Sequence, residues 1–175
     1  MTKKQRAVTI EDLRTALSSG DLLEQFDVFE SYSHQRPTIE ALPFLRRALR
    51  SKRFSVVKCA AISLQKLGQH ALPAARDLRR AAYTIDKLSD IPTAYPQCLH
   101  ALVAIVPEDE EDLLEMISHF TGITNWEIVS SGMSALQKLG TPKALDLLRR
   151  IHTFWYSDLN KTQQKAADKF LKPLK

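Results

Sequence analysis

The residue types able to carry chemistry in this chain are five histidines, two cysteines and a set of clustered arginines. A metal site on a helix needs ligands three or four residues apart, so that they share a face. His34, His70, His100, His119 and His152 are never so spaced, and none is followed by Glu. Cys59 and Cys98 stand among apolar residues far apart in sequence, which suits small core side chains better than nucleophiles. The sequence has no Gly-rich phosphate loop, no Gly-x-Ser-x-Gly elbow and no Cys-x-x-Cys pair. The expectation is a protein without catalytic residues, cofactor or metal, and so not an enzyme.

Arginine is the exception. Arg46, Arg47 and Arg50 form one cluster, Arg76, Arg79 and Arg80 a second, and Arg149 and Arg150 a third. A guanidinium matches carboxylate or phosphate groups with paired hydrogen bonds. The clusters sit in a banded charge pattern. Residues 43–87 hold eleven Lys or Arg against two acids, and residues 88–130 hold eight acids and no Lys or Arg. Residues 131–175 return to nine basic residues against three acids, so the net charge of +5 hides bands of opposite sign. Such banding suits a protein partner with complementary bands, or self-association, better than a continuous phosphate backbone. Nucleic acid stays as the alternative. Trp155, in "HTFWY" (152–156), is a further candidate anchor for a partner, or else core under the last helix.

A plain reading competes with binding. Basic residues late in a helix offset its dipole, as do the acids of "EDEED" (108–112) at a helix start. Asp77–Arg80 and Asp146–Arg150 are spaced to pair within one helix.

The elements that must position these arginines are helices. Apolar residues make up 44% and charged residues 26%, which marks a folded chain, and five glycines leave little for β-turns. Thr9 and Asp12 read as an N-cap pair, with Gly20 closing that helix. "DLLEQFDVFESYSH" places Leu22, Leu23, Phe26 and Phe29 at helical spacing, and Pro37 ends it. "TIEALPFLRRAL" and "ALPAARDLRRAAYTI" each carry a Pro near the start, where a missing N–H is tolerated. About ten helices follow one another with no alternating strand pattern, and they pair at 21–50, 54–84, 93–121 and 125–155, with caps at 9–18 and 160–172.

The pentapeptide "LQKLG" occurs at 64–68 and again at 136–140, seventy-two residues apart. Its leucines suit a buried stripe, Gln and Lys suit solvent, and Gly suits a left-handed helix stop. Seventy-two is two periods of about thirty-six, and a degenerate copy lies between, with Leu102 and Ile105 at the leucine positions, shifted by two. A helix-pair period of roughly 30–40 residues is the signature of an α-solenoid. The segment "VVKCAAISLQKLGQHALPAARDLRRA" (56–81) resembles a HEAT repeat, in the short bacterial form of phycobilisome-lyase-like proteins. Val57–Lys58 lies close to that pattern's Val-Arg and Ala60–Ala61 close to its Ala pair, while "IVSSGMSALQKLGTPKALDLLRRI" (128–151) is a weaker match. Both copies lack the Asp that precedes Val-Arg in the family pattern.

The resemblance implies an all-α, right-handed α-solenoid of about four HEAT-like pairs, forming a single domain over 1–175. It also implies that the second helix of each pair lines the concave, ligand-bearing face. On that reading Arg46, Arg47, Arg50, Arg76, Arg79, Arg80, Arg149, Arg150 and Trp155 form the partner-binding set of a scaffold or adaptor. A bilin lyase-like chaperone, or an immunity or regulatory subunit, is the other role the resemblance allows. The longest apolar run, "ALVAIVP" (101–107), is too short to span a bilayer, and the N-terminus lacks the apolar stretch of a signal peptide. With two cysteines and no disulfide framework, the expectation is a cytoplasmic protein with no membrane partner.

Overall fold

The computed structural model describes residues 7–84, 94–120 and 125–172. Thr93 and Thr121, the ends of the third predicted pair, lie outside them. All regular structure among the described residues is helical, with no strand. The chain divides into two compact units, Met1–Val106 and Pro107–Lys175, and the division falls inside that third pair.

The first unit holds α1 (Ile10–Ser19), α2 (Leu22–Ser33), α3 (Leu42–Ala48), α4 (Phe54–Leu67), α5 (Ala75–Ala82) and α6 (Tyr95–Ile105). The expected cap of α1 is formed: the Thr9 hydroxyl accepts from the Asp12 amide at 3.2 Å, and the Asp12 carboxylate accepts from the Thr9 amide at 2.7 Å. The two second helices are shorter than their sequence pattern. Each is led in by a 3₁₀ segment, Ile39–Ala41 before α3 and Gly68–Ala74 before α5. Pro43 and Pro73 lie at these junctions. Pro43 falls in the first turn of α3, where its missing N–H breaks no intrahelical bond, whereas Pro73 lies inside the 3₁₀ segment and α5 begins only beyond it.

Helix α4 is the centre of this unit, packed against α2, α3 and α6. Its buried face is Val56, Val57, Cys59, Ala60, Ala61, Ser63 and Leu64. Small residues on that face let neighbouring helices approach closely. On α2 the core face differs from expectation. Leu22 and Leu23 are exposed, at 41% and 62%, while Gln25, Phe29, Tyr32 and Ser33 are buried. Phe26 lies half-buried with the Arg53 guanidinium 5.1 Å from its ring centroid. Leu72 is likewise exposed, because it falls in the 3₁₀ lead-in and not on the face of α5.

The second unit holds α7 (Glu110–Phe120), α8 (Trp126–Leu139), α9 (Pro142–Trp155) and α10 (Lys161–Phe170). Helix α8 is its centre and touches α7, α9 and α10. It buries Ile128, Val129, Ser131, Gly132, Met133, Ala135 and Leu136. Each of these seven lies seventy-two positions after one of the seven buried in α4. The register shared by the pentapeptides therefore extends along both helices, although most of the residues differ. Displaced by thirty-eight positions, six of the α4 set fall on buried residues around α6: Ala94, Tyr95, Cys98, Leu99, Ala101 and Leu102.

The two copies of "LQKLG" differ at their ends. Gly140 adopts φ 64° and ψ 3°, the left-handed stop, and α9 follows at once behind its Thr141 cap. Gly68 has φ 57° but ψ −138°, which turns the chain directly into the 3₁₀ segment. Both conformations favour a residue without Cβ. The middle residues also have work beyond facing solvent. Lys66 donates from Nζ to the carbonyl of Ser33, the last residue of α2, and to the Gln35 carbonyl at 3.4 Å. Gln137 donates from Nε2 to the Phe170 carbonyl at 3.2 Å and the Lys169 carbonyl at 3.5 Å, at the end of α10. Each pentapeptide thus satisfies carbonyls that a neighbouring helix leaves unpaired at its C-terminus.

Gly140→Ala is expected to lower the unfolding free energy by about 1 kcal/mol, and Gly140→Asn by less, because only the former forces an unassisted Cβ into the left-handed region. Urea denaturation monitored by circular dichroism measures the difference.

Candidate functional site

The strongest ionic feature of the first unit joins its two second helices. Arg46 lies in α3 and Arg50 just after it, one turn apart, while Asp77 lies in the first turn of α5. Arg46 Nε donates to Asp77 Oδ2 at 2.7 Å, and Arg50 Nη2 donates to Asp77 Oδ1 at 3.0 Å. Each carboxylate oxygen therefore has its own guanidinium. The Asp77 side chain is 10% exposed, against 42% for Arg46 and 63% for Arg50. Burial by itself would raise the Asp77 pKa, but the hydrogen bonds and charges of Arg46 and Arg50 outweigh it. The carboxyl is held below the usual carboxylate range.

This arrangement replaces the expected pairing of Asp77 with Arg80 inside one helix. An i, i+3 partner on a short helix stays in water, whereas the carboxylate buried toward α3 meets two donors already turned to it. Arg80 is left exposed and forms no side-chain hydrogen bond or ion pair among the described residues. A groove of about 180 Å³ lies between the end of α3, the start of α4 and α5. Arg50, Asp77 and Arg80 supply its charged lining, and Leu49, Phe54 and Val57 much of its apolar lining.

Among the other predicted arginines, Arg47 and Arg76 are exposed and Arg79 is half-buried. The first unit thus brings together two clusters that the sequence separates by about thirty residues, through an acid that sequence reasoning assigned elsewhere. The available signal was composition: Asp77 is one of two acids in the whole 43–87 band.

In the second unit, Arg149 and Arg150 are both exposed on α9. Arg150 makes the expected pair with Asp146 at 3.1 Å, and its low burial makes that pair weak. Trp155 is 8% exposed and continues the buried stripe Ala144, Leu148 and Ile151, so its burial withholds it from a partner. The exposed ring is that of Phe154, at 70%, set edge-on to Trp155 with centroids 5.4 Å apart. A shallow surface depression is lined by Phe154 together with Arg149, Arg150 and Thr153. Sequence reasoning passed over Phe154 because it sits one residue off the apolar stripe.

Other polar groups serve packing within this unit. Glu110 accepts from the Thr141 hydroxyl, and Lys143 Nζ pairs with Glu111 at 3.1 Å, so the acidic start of α7 is tied to the start of α9. Asp168 of α10 lies 3.1 Å from His152 Nε2 and accepts from the Tyr156 hydroxyl at 3.3 Å. Cys59 and Cys98 are buried, and burial raises both thiols, Cys98 to about 12. Raised thiols hold little thiolate at neutral pH. Among the described residues, no three His, Cys, Asp or Glu side chains group as metal ligands would. Comparison with protein-family models, with curated proteins and with solved structures gives no match to this chain.

Asp77→Asn is expected to destabilise the fold by about 1–2 kcal/mol at pH 7, because two guanidiniums lose their charged acceptor and exposure of both limits the loss. The folded pKa of Asp77 lies below its unfolded value of about 3.9. Its contribution is therefore present above that value and lost as pH falls through the folded pKa. Urea unfolding at pH 7 and at about pH 2 should show the gap between wild type and Asp77→Asn closing in acid.

Proposed function

We propose that this chain is a right-handed, HEAT-like α-solenoid of about four helix pairs with terminal caps. It acts as a non-enzymatic scaffold or adaptor that holds a partner protein through arginines on its second helices. The repeat reading is supported by the burial register that α4 shares with α8 and, displaced, with α6. It is also supported by α2, α4 and α6, the first helices of three successive pairs, packing side by side in the first unit.

The binding reading is carried by one observation. The second helices α3 and α5 are cross-linked by Asp77, while Arg47, Arg76 and Arg80 remain exposed around that link. Charged side chains on a braced surface lose less freedom when a partner engages them than the same side chains on a loose one. The partner is a protein with a complementary acidic surface. Among the described residues, no helix is long and apolar enough to cross a membrane.

A second reading, nucleic acid, is favoured by Phe154 beside Arg149 and Arg150, since an exposed ring flanked by guanidiniums can stack a base and neutralise its phosphate.

The variant Arg76→Glu/Arg80→Glu is expected to keep its helical circular dichroism and unfolding midpoint. Affinity capture followed by mass spectrometry should show its recovery of the cognate protein reduced at least about tenfold relative to wild type. Undiminished recovery would remove the arginines from the binding surface. Capture abolished by nuclease, or binding of labelled oligonucleotide that falls steeply with salt and is lost in Phe154→Ala, would favour the second reading.

A further inference from the structure

We infer that the groove between α3, α4 and α5 reads a single acidic side chain, together with the apolar residue beside it, on an acidic segment of a partner protein. The inference rests on the scaffold reading above and names the chemistry of the partner.

Size comes first. Pockets for small organic ligands run to roughly 300–1,000 Å³. The groove, at about 180 Å³, is of the order of one or two side chains.

Its lining is divided by character. Leu49, Phe54 and Val57 offer apolar contact, while Arg50 and Arg80 offer guanidinium donors. Arg50 spends one nitrogen, Nη2, on Asp77 at 3.0 Å. A guanidinium has five N–H donors in a fixed fork, so Arg50 is held in orientation with donors to spare. Arg80 has no side-chain partner among the described residues. An incoming carboxylate meets one pre-oriented donor set and one that is free to close on it.

Asp77 decides which anion fits. With Arg50 and Arg80 it leaves the polar lining a net charge of only about +1, enough for one carboxylate and poor for a row of phosphates. The apolar lining argues the same way, since a sugar–phosphate backbone has nothing to bury there. A second copy of this chain is disfavoured because its acidic band is partly engaged already. Glu110 is held by Thr141 and Glu111 by Lys143, and both lie in the first turn of α7, where the helix dipole favours them.

The test uses the full chain and fluorescence anisotropy with a labelled synthetic peptide of alternating Glu and Leu, beside a matched peptide of Gln and Leu. The Glu peptide is expected to bind wild type at least tenfold more tightly than the Gln peptide does. Arg80→Ala should weaken it at least tenfold, Arg80→Lys should restore part of the loss, and Lys161→Ala, which removes the same charge at the start of α10, should leave it unchanged. Equal binding of both peptides, or equal weakening by Arg80→Ala and Lys161→Ala, would overturn the inference. So would a self-associated wild type that Arg80→Ala dissolves, or an oligonucleotide that displaces the peptide through Arg80. If the peptide fails on wild type while Arg76→Glu/Arg80→Glu still loses its captured protein, the groove assignment falls and the scaffold reading stands.

Discussion

One carboxylate organises the surface of the first unit. Asp77 is nearly buried in a band that holds eleven cations, and it accepts one hydrogen bond on each oxygen from Arg46 and Arg50. Removing its charge from water carries a cost that the two guanidiniums offset. The consequence is geometric as much as energetic: the end of α3 and the first turn of α5 are held in register. Arg50 is fixed at the wall of the groove and Arg80 is left exposed beside it. A pairing of Asp77 with Arg80 would have dissolved that arrangement by engaging a cation that has no side-chain partner among the described residues.

The repeated pentapeptide shows how one short sequence serves two contexts. Its first leucines, Leu64 and Leu136, are fully buried, while Leu67 and Leu139 are only half-buried. In one copy the lysine reaches the end of α2, and in the other the glutamine reaches the end of α10. Both supply donors to carbonyls at a helix C-terminus, a place where lysine also answers the dipole. The glycines then part company, because Gly140 must hand over to a helix beginning at Pro142 and Gly68 to a 3₁₀ turn carrying Pro73.

Much of the fold was legible in the residues. The Thr9–Asp12 cap, the stops at Gly20 and Gly140 and the acidic start of α7 all follow from local rules that need no distant partner. The misreadings fall where a local pattern admits two faces. Leu22 and Leu23 keep helical spacing with Phe26 and Phe29, yet the face of α2 that meets its neighbours runs through Gln25, Phe29 and Tyr32. Hydropathy alone would not place a glutamine in that core. The second helices are shorter than their apolar pattern because a 3₁₀ segment keeps much the same spacing of apolar residues ahead of each, and proline near a helix start does not distinguish the two.

The sequence by itself determined that this chain is helical, where most of its helices stop, and that its cations and acids lie in separate bands. Those are properties of neighbours along the chain, set by spacing, capping and composition. Only the tertiary structure decided which charges meet. Asp77 stands three residues from Arg80 and about thirty from Arg46 and Arg50, and it joins the distant pair because burial rewards a carboxylate that finds two converging donors. Only packing, too, turned Trp155 inward and left Phe154 in solvent, since adjacent residues on a helix point about 100° apart and a single face can be covered.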